Sequence, residues 1–354
     1  MTFARRLTFK MKRTGFWGLS LFLLCALVVS ALPAFAQEKQ PQAKTRPEYD
    51  AYLALYNEKD PAKKAELGEK FIAEFKESEF LPNAHTMIIG AYVNAKNWPK
   101  VIEAGDRAAA LPNADNKLKA YAYANAMIAS QNTNNIDKVI TYGEKVLAIT
   151  PDDLNTMITL SAVIPAKLPA DAAGKTAALD KASDLATKAL AGVQKLAATA
   201  GAAEKPQLVQ IEGNLHSTLG LIAYNRPDYM KSIQEYEVAI QRTPKDDVAH
   251  FYLGLDYQAL AAQASRDYQA AVNAENAAKA ARAEQPAIDE LAAKREGLAE
   301  DVRKARDKAI EEFAIATAIG GQVGAQARDA LTKLWTAKNE NTNGMEEFIA
   351  QKKQ

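Results

Sequence analysis

The chain has 354 residues, with 44 lysines and arginines against 43 aspartates and glutamates, three histidines and one cysteine. A net charge of +1 lacks the cationic excess of an electrostatic nucleic-acid binder, so no nucleic-acid partner is expected. A single thiol excludes an internal disulfide framework and multi-cysteine metal sites.

Residues 1–15 hold Arg5, Arg6, Lys10, Lys12 and Arg13 and no acid; an apolar run from Phe16 to Leu32 follows, and Ala34-Phe35-Ala36 precedes Gln37. A basic start, an apolar middle and small-x-small before a polar residue define a secretory signal peptide, residues 1–36, cleaved after Ala36. The alternative, an uncleaved N-terminal anchor in the inner membrane, meets a run near the lower limit for a span. Cleavage removes Cys25 and five cations, which leaves no thiol and a net charge of −4. Leu24 argues against lipid attachment at Cys25, since lipoprotein signals place a small residue there. No later apolar stretch approaches spanning length, so an exported protein, periplasmic or secreted, without stable membrane insertion is expected. Residues 37–47 (QEKQPQAKTRP) have no apolar periodicity and read as a disordered leader.

From residue 48 apolar positions recur at helical spacing between short Pro, Asn and Asp breaks, without strand-like alternation, so an all-α fold is expected. A first helix pair covers 49–77, with Leu67, Phe71 and Phe75 on one face. Units at 82–115 and 117–153 share a block, KVIEAGDR from Lys100 and KVITYGEK from Lys138. The second block aligns without a gap on the segment from Lys231, and both close alike, Thr150-Pro151-Asp152-Asp153 beside Thr243-Pro244-Lys245-Asp246. A fourth unit, 154–200, has a loose middle from Pro165 to Gly174 and a second helix marked by Ala182, Ala186 and Ala189. The fifth, 213–246, carries Leu219-Gly220, Ser232, Tyr236, Ala239 and Pro244. Thirty-four residues after His216 its hexapeptide His-x-x-Leu-Gly-Leu returns at His250, with Leu253-Gly254, and opens a sixth unit, 247–321.

These residues at these spacings resemble the tetratricopeptide repeat family, here in the form of an exported bacterial envelope protein. The resemblance implies a right-handed α-solenoid of about six helical hairpins over 48–354. It makes Gly220, Ser232 and Ala239 the small residues where antiparallel helices approach, and Tyr236 the filler between repeats. Pro244 ends the second helix. One hairpin cannot bury its own apolar face, so neighbours must stack. His216 and His250 stand where the family has a large aromatic and read as amphipathic fillers. Equivalent residues on stacked helices lie roughly 10 Å apart, too far to share an ion, and no third ligand is evident. His85 reads as structural.

After Tyr257 the family pattern expects the second helix soon. Its small-x-x-x-Phe-x-x-Ala set appears only at Ala309, Phe313 and Ala316, beyond roughly forty residues rich in Ala, Glu, Lys and Arg. Pro286 suits the first turn of a new helix. Ile288, Leu291, Leu298, Val302, Ala305 and Ala309 then form a coiled-coil-like stripe, facing Tyr268, Ala271 and Ala278. A helical-hairpin insertion at about 262–305 is expected to project from the stack, open to a partner or to self-association. Residues 322–354, with Leu331, Leu334 and Trp335 and a turn at Asn341 to Gly344, read as a capping helix pair.

No nucleophile elbow, clustered ligand spacing or phosphate loop occurs, so no catalytic residue, metal or cofactor is expected. Glu311-Glu312 and Glu346-Glu347 are sequence neighbours that point apart on a helix. In the family the first helices line a concave groove. Its offsets carry that face onto Asn214, Ser217, Leu221, Tyr224 and Asn225, then Val248, Phe251, Leu255, Gln258 and Ala259. Earlier units offer Asn83, Thr86, Asn94, Tyr121, Gln131, Asn132 and Asn155. That face lacks the lysines and arginines with which the family's chaperone-tail binders clamp a terminal carboxylate. Its amides match both donors and acceptors of an extended backbone, and its aromatics add apolar contact. A non-enzymatic scaffold for an extended polypeptide or protein partner is therefore expected. The alternatives are a structural subunit docking through its edges and the 262–305 arm, and a solenoid holding a glycan or small ligand on Tyr224 and Phe251.

Overall fold

A computed structural model describes residues 41–353. The expected cleavage site, Ala34, Ala36 and Gln37, lies outside the described residues. Every regular element among those residues is a helix, as the periodicity predicts, and none is long and apolar enough to cross a membrane. The chain forms two compact units that divide between Thr156 and Met157.

The first unit holds three antiparallel pairs: α1 (Arg46–Asn57) with α2 (Pro61–Glu74), α3 (Leu81–Asn94) with α4 (Trp98–Ala109), and α5 (Asn116–Asn132) with α6 (Ile136–Ile149). Asp60, Asn97, Asp115 and Asn135 each accept a hydrogen bond from the N–H three residues on, satisfying a donor the helix start leaves orphaned. The α3–α4 and α5–α6 turns have one geometry. Lys96 and Asn134 are left-handed (φ 52° and 55°), and the N–H groups of Asn97 and Asn135 reach back 2.9 Å to the carbonyls of Tyr92 and Ser130. Second helices are tied to one another by polar contacts: Arg107 of α4 forks onto Glu69 of α2 at 3.0 and 2.5 Å, and Tyr142 of α6 donates to Asp106 of α4 at 2.8 Å.

The second unit takes in most of α7 (Leu154–Val163), then a 3₁₀ turn (Ile164–Lys167), α8 (Ala172–Thr199), α9 (Lys205–Asn225), α10 (Tyr229–Arg242), α11 (Asp247–Ala280), α12 (Gln285–Ile319), α13 (Gly324–Asn339) and α14 (Met345–Gln351). The loose middle expected from Pro165 to Gly174 is mostly ordered. Pro165 is buried within the 3₁₀ turn, and Asp171 accepts from the Gly174 N–H at 2.7 Å and so starts α8 ten residues before Ala182. Helix α9 likewise begins two turns before Gly213, with Pro206 in its first turn and Leu208 and Ile211 buried.

Successive hairpins repeat their contacts with substitutions. In the α9–α10 pair the Tyr236 ring lies on Gly220, where an added Cβ would stand 2.9 Å from ring carbons. In the α11–α12 pair Phe313 lies on Gly254 in the same way, at 2.7 Å. His216 Nδ1 meets Glu235 at 2.7 Å, and His250 Nδ1 meets Glu312 at 2.7 Å. The first pair is 19 residues apart and the second 62, so 43 residues have entered the later hairpin. The hairpin turn has moved with them. The Asp228 N–H to Ala223 carbonyl bond of the α9–α10 turn recurs as Ala283 to Ala278, 55 residues on instead of 34, with Arg282 left-handed beside it. Hence 21 added residues lengthen α11 and 22 lengthen α12, about 32 Å on each side at 1.5 Å per residue. The expected helical-hairpin insertion is thus formed by the repeat's own two helices, extended together; α11 runs on without a break because residues 258–280 contain neither Gly nor Pro. Across this arm Arg295 Nε donates 2.7 Å to Glu275, a carboxylate buried between the two helices, and Lys279 donates to its other oxygen at 2.6 Å.

Candidate functional site

The candidate face is built on α9 and continues on the first turns of α11. Asn214, Ser217, Leu221, Tyr224 and Asn225 fall within about 100° of the α9 circumference and are all half-buried. Leu215, Leu219, Ile222 and Ala223 take the buried side. The face therefore exists because apolar residues on the opposite side fix the rotation of the helix. Thirty-four residues on, Val248, Gln258 and Ala259 repeat the pattern, also half-buried. Tyr224 joins the two helices: its ring is 5.5 Å from Tyr252 and 6.1 Å from Tyr229, edge-on to both. Burial, and after it Tyr229 and Asp256, hold the Tyr224 hydroxyl above the usual phenol range, so it stays a neutral donor.

Phe251 and Leu255 depart from the expectation. Both pack against the cluster of Ala309, Ile310, Phe313, Leu331, Met345 and Ile349, with the Phe251 ring 5.7 Å from that of Phe313. Helices α12 to α14 cover this side of α11, so these two side chains stabilise the hairpin and are withdrawn from the binding set. Several polar members already have partners. Ser217 donates to Asp246, the α11 cap, at 3.1 Å, and Asn225 Nδ2 donates to the Leu221 carbonyl at 2.9 Å. Asn225 retains its carbonyl oxygen and one N–H. Asn214 makes no side-chain hydrogen bond among the described residues and has its whole amide available.

In the first unit Asn83, Asn94 and Asn155 are exposed, and Gln131 is half-buried. The Thr86 hydroxyl bonds back to Pro82 at 2.9 Å, and Asn132 Nδ2 to Ile128 at 2.9 Å. Tyr121 is partly exposed, and its hydroxyl lies over Gly90 of α3, where an added Cβ would be 3.6 Å away.

Behind the α9–α11 face lies a group the sequence reading missed. Asp256 is fully buried on α11, with Oδ2 2.6 Å from Ser232 Oγ of α10 and Oδ1 without a partner. Ser232 Oγ is also 3.0 Å from the Gly220 carbonyl of α9. Burial pushes the Asp256 carboxyl up to about 7, against the lowering effect of Ser232. A signal existed: Asp256 stands 34 residues after Ile222, so a carboxyl replaces a buried isoleucine in the repeat.

Fold and site together define a class, the all-α helical-repeat proteins with an extended, mostly uncharged side-chain face. No family model matches the chain, and no curated protein matches it in sequence. Among solved structures it is similar to a tetratricopeptide repeat protein from Parabacteroides merdae, at 12% identity and a TM-score of 0.42 over 82% of this chain and 99% of that one. It is also similar to human IFIT1, solved as a dimer with m7Gppp-AAAA, at 14% identity and a TM-score of 0.34 over 85% of this chain and 66% of that one. Both values are low.

Proposed function

We propose that the protein is an exported, non-enzymatic scaffold that holds an extended stretch of polypeptide along the face of α9 and α11. The observation that carries this is one half-buried strip with two amides, a hydroxyl, Leu221 and Tyr224, repeated 34 residues on by Val248, Gln258 and Ala259, with no charged side chain in it. An extended peptide presents N–H and C=O groups alternately, and carboxamides answer both. Leu221 and Tyr224 add apolar contact without selecting charge. The basic, apolar and small-x-small order of residues 1–36 supports export to the periplasm, with cleavage after Ala36.

The pair Asn214→Ala and Tyr224→Ala is expected to weaken binding of unstructured, uncharged peptides at least tenfold, measured by fluorescence anisotropy on a peptide series. Folding should be preserved, since neither side chain lies in the buried core. Unchanged affinity in the double variant would rule out this face; preference for RNA over every peptide would replace the reading.

The 32 Å arm favours a second reading, a structural subunit that docks through it. Replacing Leu260-Ala261-Ala262 by the Arg-Pro-Asp of the α9–α10 turn and removing 263–305 excises the 43 added residues. That chain should fold, because the His–Glu spacing returns to 19. Retained peptide binding with loss of the native complex would favour the docking role.

A further inference from the structure

We infer that Asp256 is a proton lock: its carboxyl is held as the neutral acid, donates to Ser232 Oγ and through it fastens α11 to the α9–α10 hairpin. The count of hydrogens carries this. A serine hydroxyl has one hydrogen, yet Ser232 Oγ lies within bonding distance of two groups, the Gly220 carbonyl at 3.0 Å and the Asp256 carboxyl at 2.6 Å. A carbonyl only accepts. The arrangement that places a hydrogen on both contacts gives the hydroxyl hydrogen to Gly220 and takes the hydrogen of the short contact from the Asp256 carboxyl itself.

The resulting chain, Asp256 Oδ2–H to Ser232 Oγ–H to the Gly220 carbonyl, links three helices with every hydrogen placed. It also accounts for Oδ1, buried without a partner: a neutral acid's carbonyl oxygen tolerates this, whereas half of a carboxylate's charge does so at far higher cost. No cation bonds the carboxyl among the described residues. The titratable groups that feel it are Tyr224 of α9, Tyr236 of α10 and Tyr257 of α11; Glu237 and Glu312 lie near Tyr257, with Glu312 already paired to His250 at 2.7 Å, and Asp246, the α11 cap, lies near Tyr236. Burial as the leading cause of the raised Asp256 value agrees with this geometry.

The sign is the reverse of the usual aspartate. The folded value, about 7, lies above the ordinary 3.8, so the folded state binds the proton more tightly. Stability from the lock is full below the ordinary value, declines as pH rises toward 7, and is gone above it. Alkaline conditions thus loosen the joint where the candidate face passes from α9 to α11 and where the arm begins.

The test compares urea unfolding of the wild type with Asp256→Asn, which is neutral at every pH and keeps a donor for Ser232. Between pH 5 and 8 the folding constant of the wild type should fall roughly a hundredfold relative to that of the variant. Curves that stay parallel across this range overturn the lock. Should the variant fold poorly, infrared spectroscopy of the wild type decides. A protonated carboxyl stretch that persists at pH 6.5, where ordinary carboxylates are ionised, and is lost by pH 9 upholds the lock, whereas absence of that band at pH 6.5 overturns it.

Discussion

Phe313→Ala is expected to destabilise the second unit by about 3–5 kcal/mol. The ring is fully buried, lies on the bare backbone of Gly254, and is surrounded by Ile310, Leu331, Met345 and Ile349. Truncation leaves a cavity between α11 and α12 that cannot collapse, because the arm and the α13–α14 pair fix both helices. Tyr236→Ala should cost a similar amount, since Tyr236 makes the corresponding contact on Gly220. Urea unfolding of both variants checks the equivalence. A loss below about 1 kcal/mol for Phe313→Ala would show that the hairpin closes by other contacts.

Glu312→Ala is the second large effect, at about 3 kcal/mol. The His250 side chain is 7% exposed and both ring nitrogens face acceptors, Glu312 at 2.7 Å and the Pro244 carbonyl at 3.2 Å. Removing the carboxylate strands a buried polar ring. The corresponding pair in the previous hairpin, His216 with Glu235, is more open, at 14% and 20% exposure. Glu235→Ala should therefore cost about 1 kcal/mol, because water replaces the lost partner. A His250→Phe, Glu312→Leu double variant should recover most of the loss, since two apolar groups of similar volume leave only the carbonyl of the exposed Pro244 without its partner, where water replaces it. A double-mutant cycle at each pair measures both couplings, and equal costs at the two sites would contradict the burial argument.

These residues also show how much could be read in advance. The hairpin array was legible because its spacing constraints are local: Gly220 under Tyr236 and Gly254 under Phe313 arise from helix pairs close in sequence or clearly repeated. The arm was legible as a helical hairpin, and the unbroken continuation of α11 follows from the missing Gly and Pro in 258–280. The early start of α9 was obscured by anchoring on Gly213, although Pro206, Leu208 and Ile211 carry an ordinary helical signal. The identity of the exposed face was less accessible. Phe251 and Leu255 occupy groove offsets on α11, yet their side is covered by residues more than fifty positions later, which no local period reveals. Asp256 was visible as a break in the Ile222 position of the repeat, but its meaning depends on Ser232 lying opposite.

The most direct measurement of the central claim places a photo-crosslinking amino acid at Leu221, in the middle of the α9 strip, in cells that produce the full chain. A second copy of the experiment places it at Ala293, exposed on the arm. The account predicts polypeptide adducts from position 221 that vanish when Asn214→Ala and Tyr224→Ala are added. Adducts from position 293 alone, with none from 221, would contradict it.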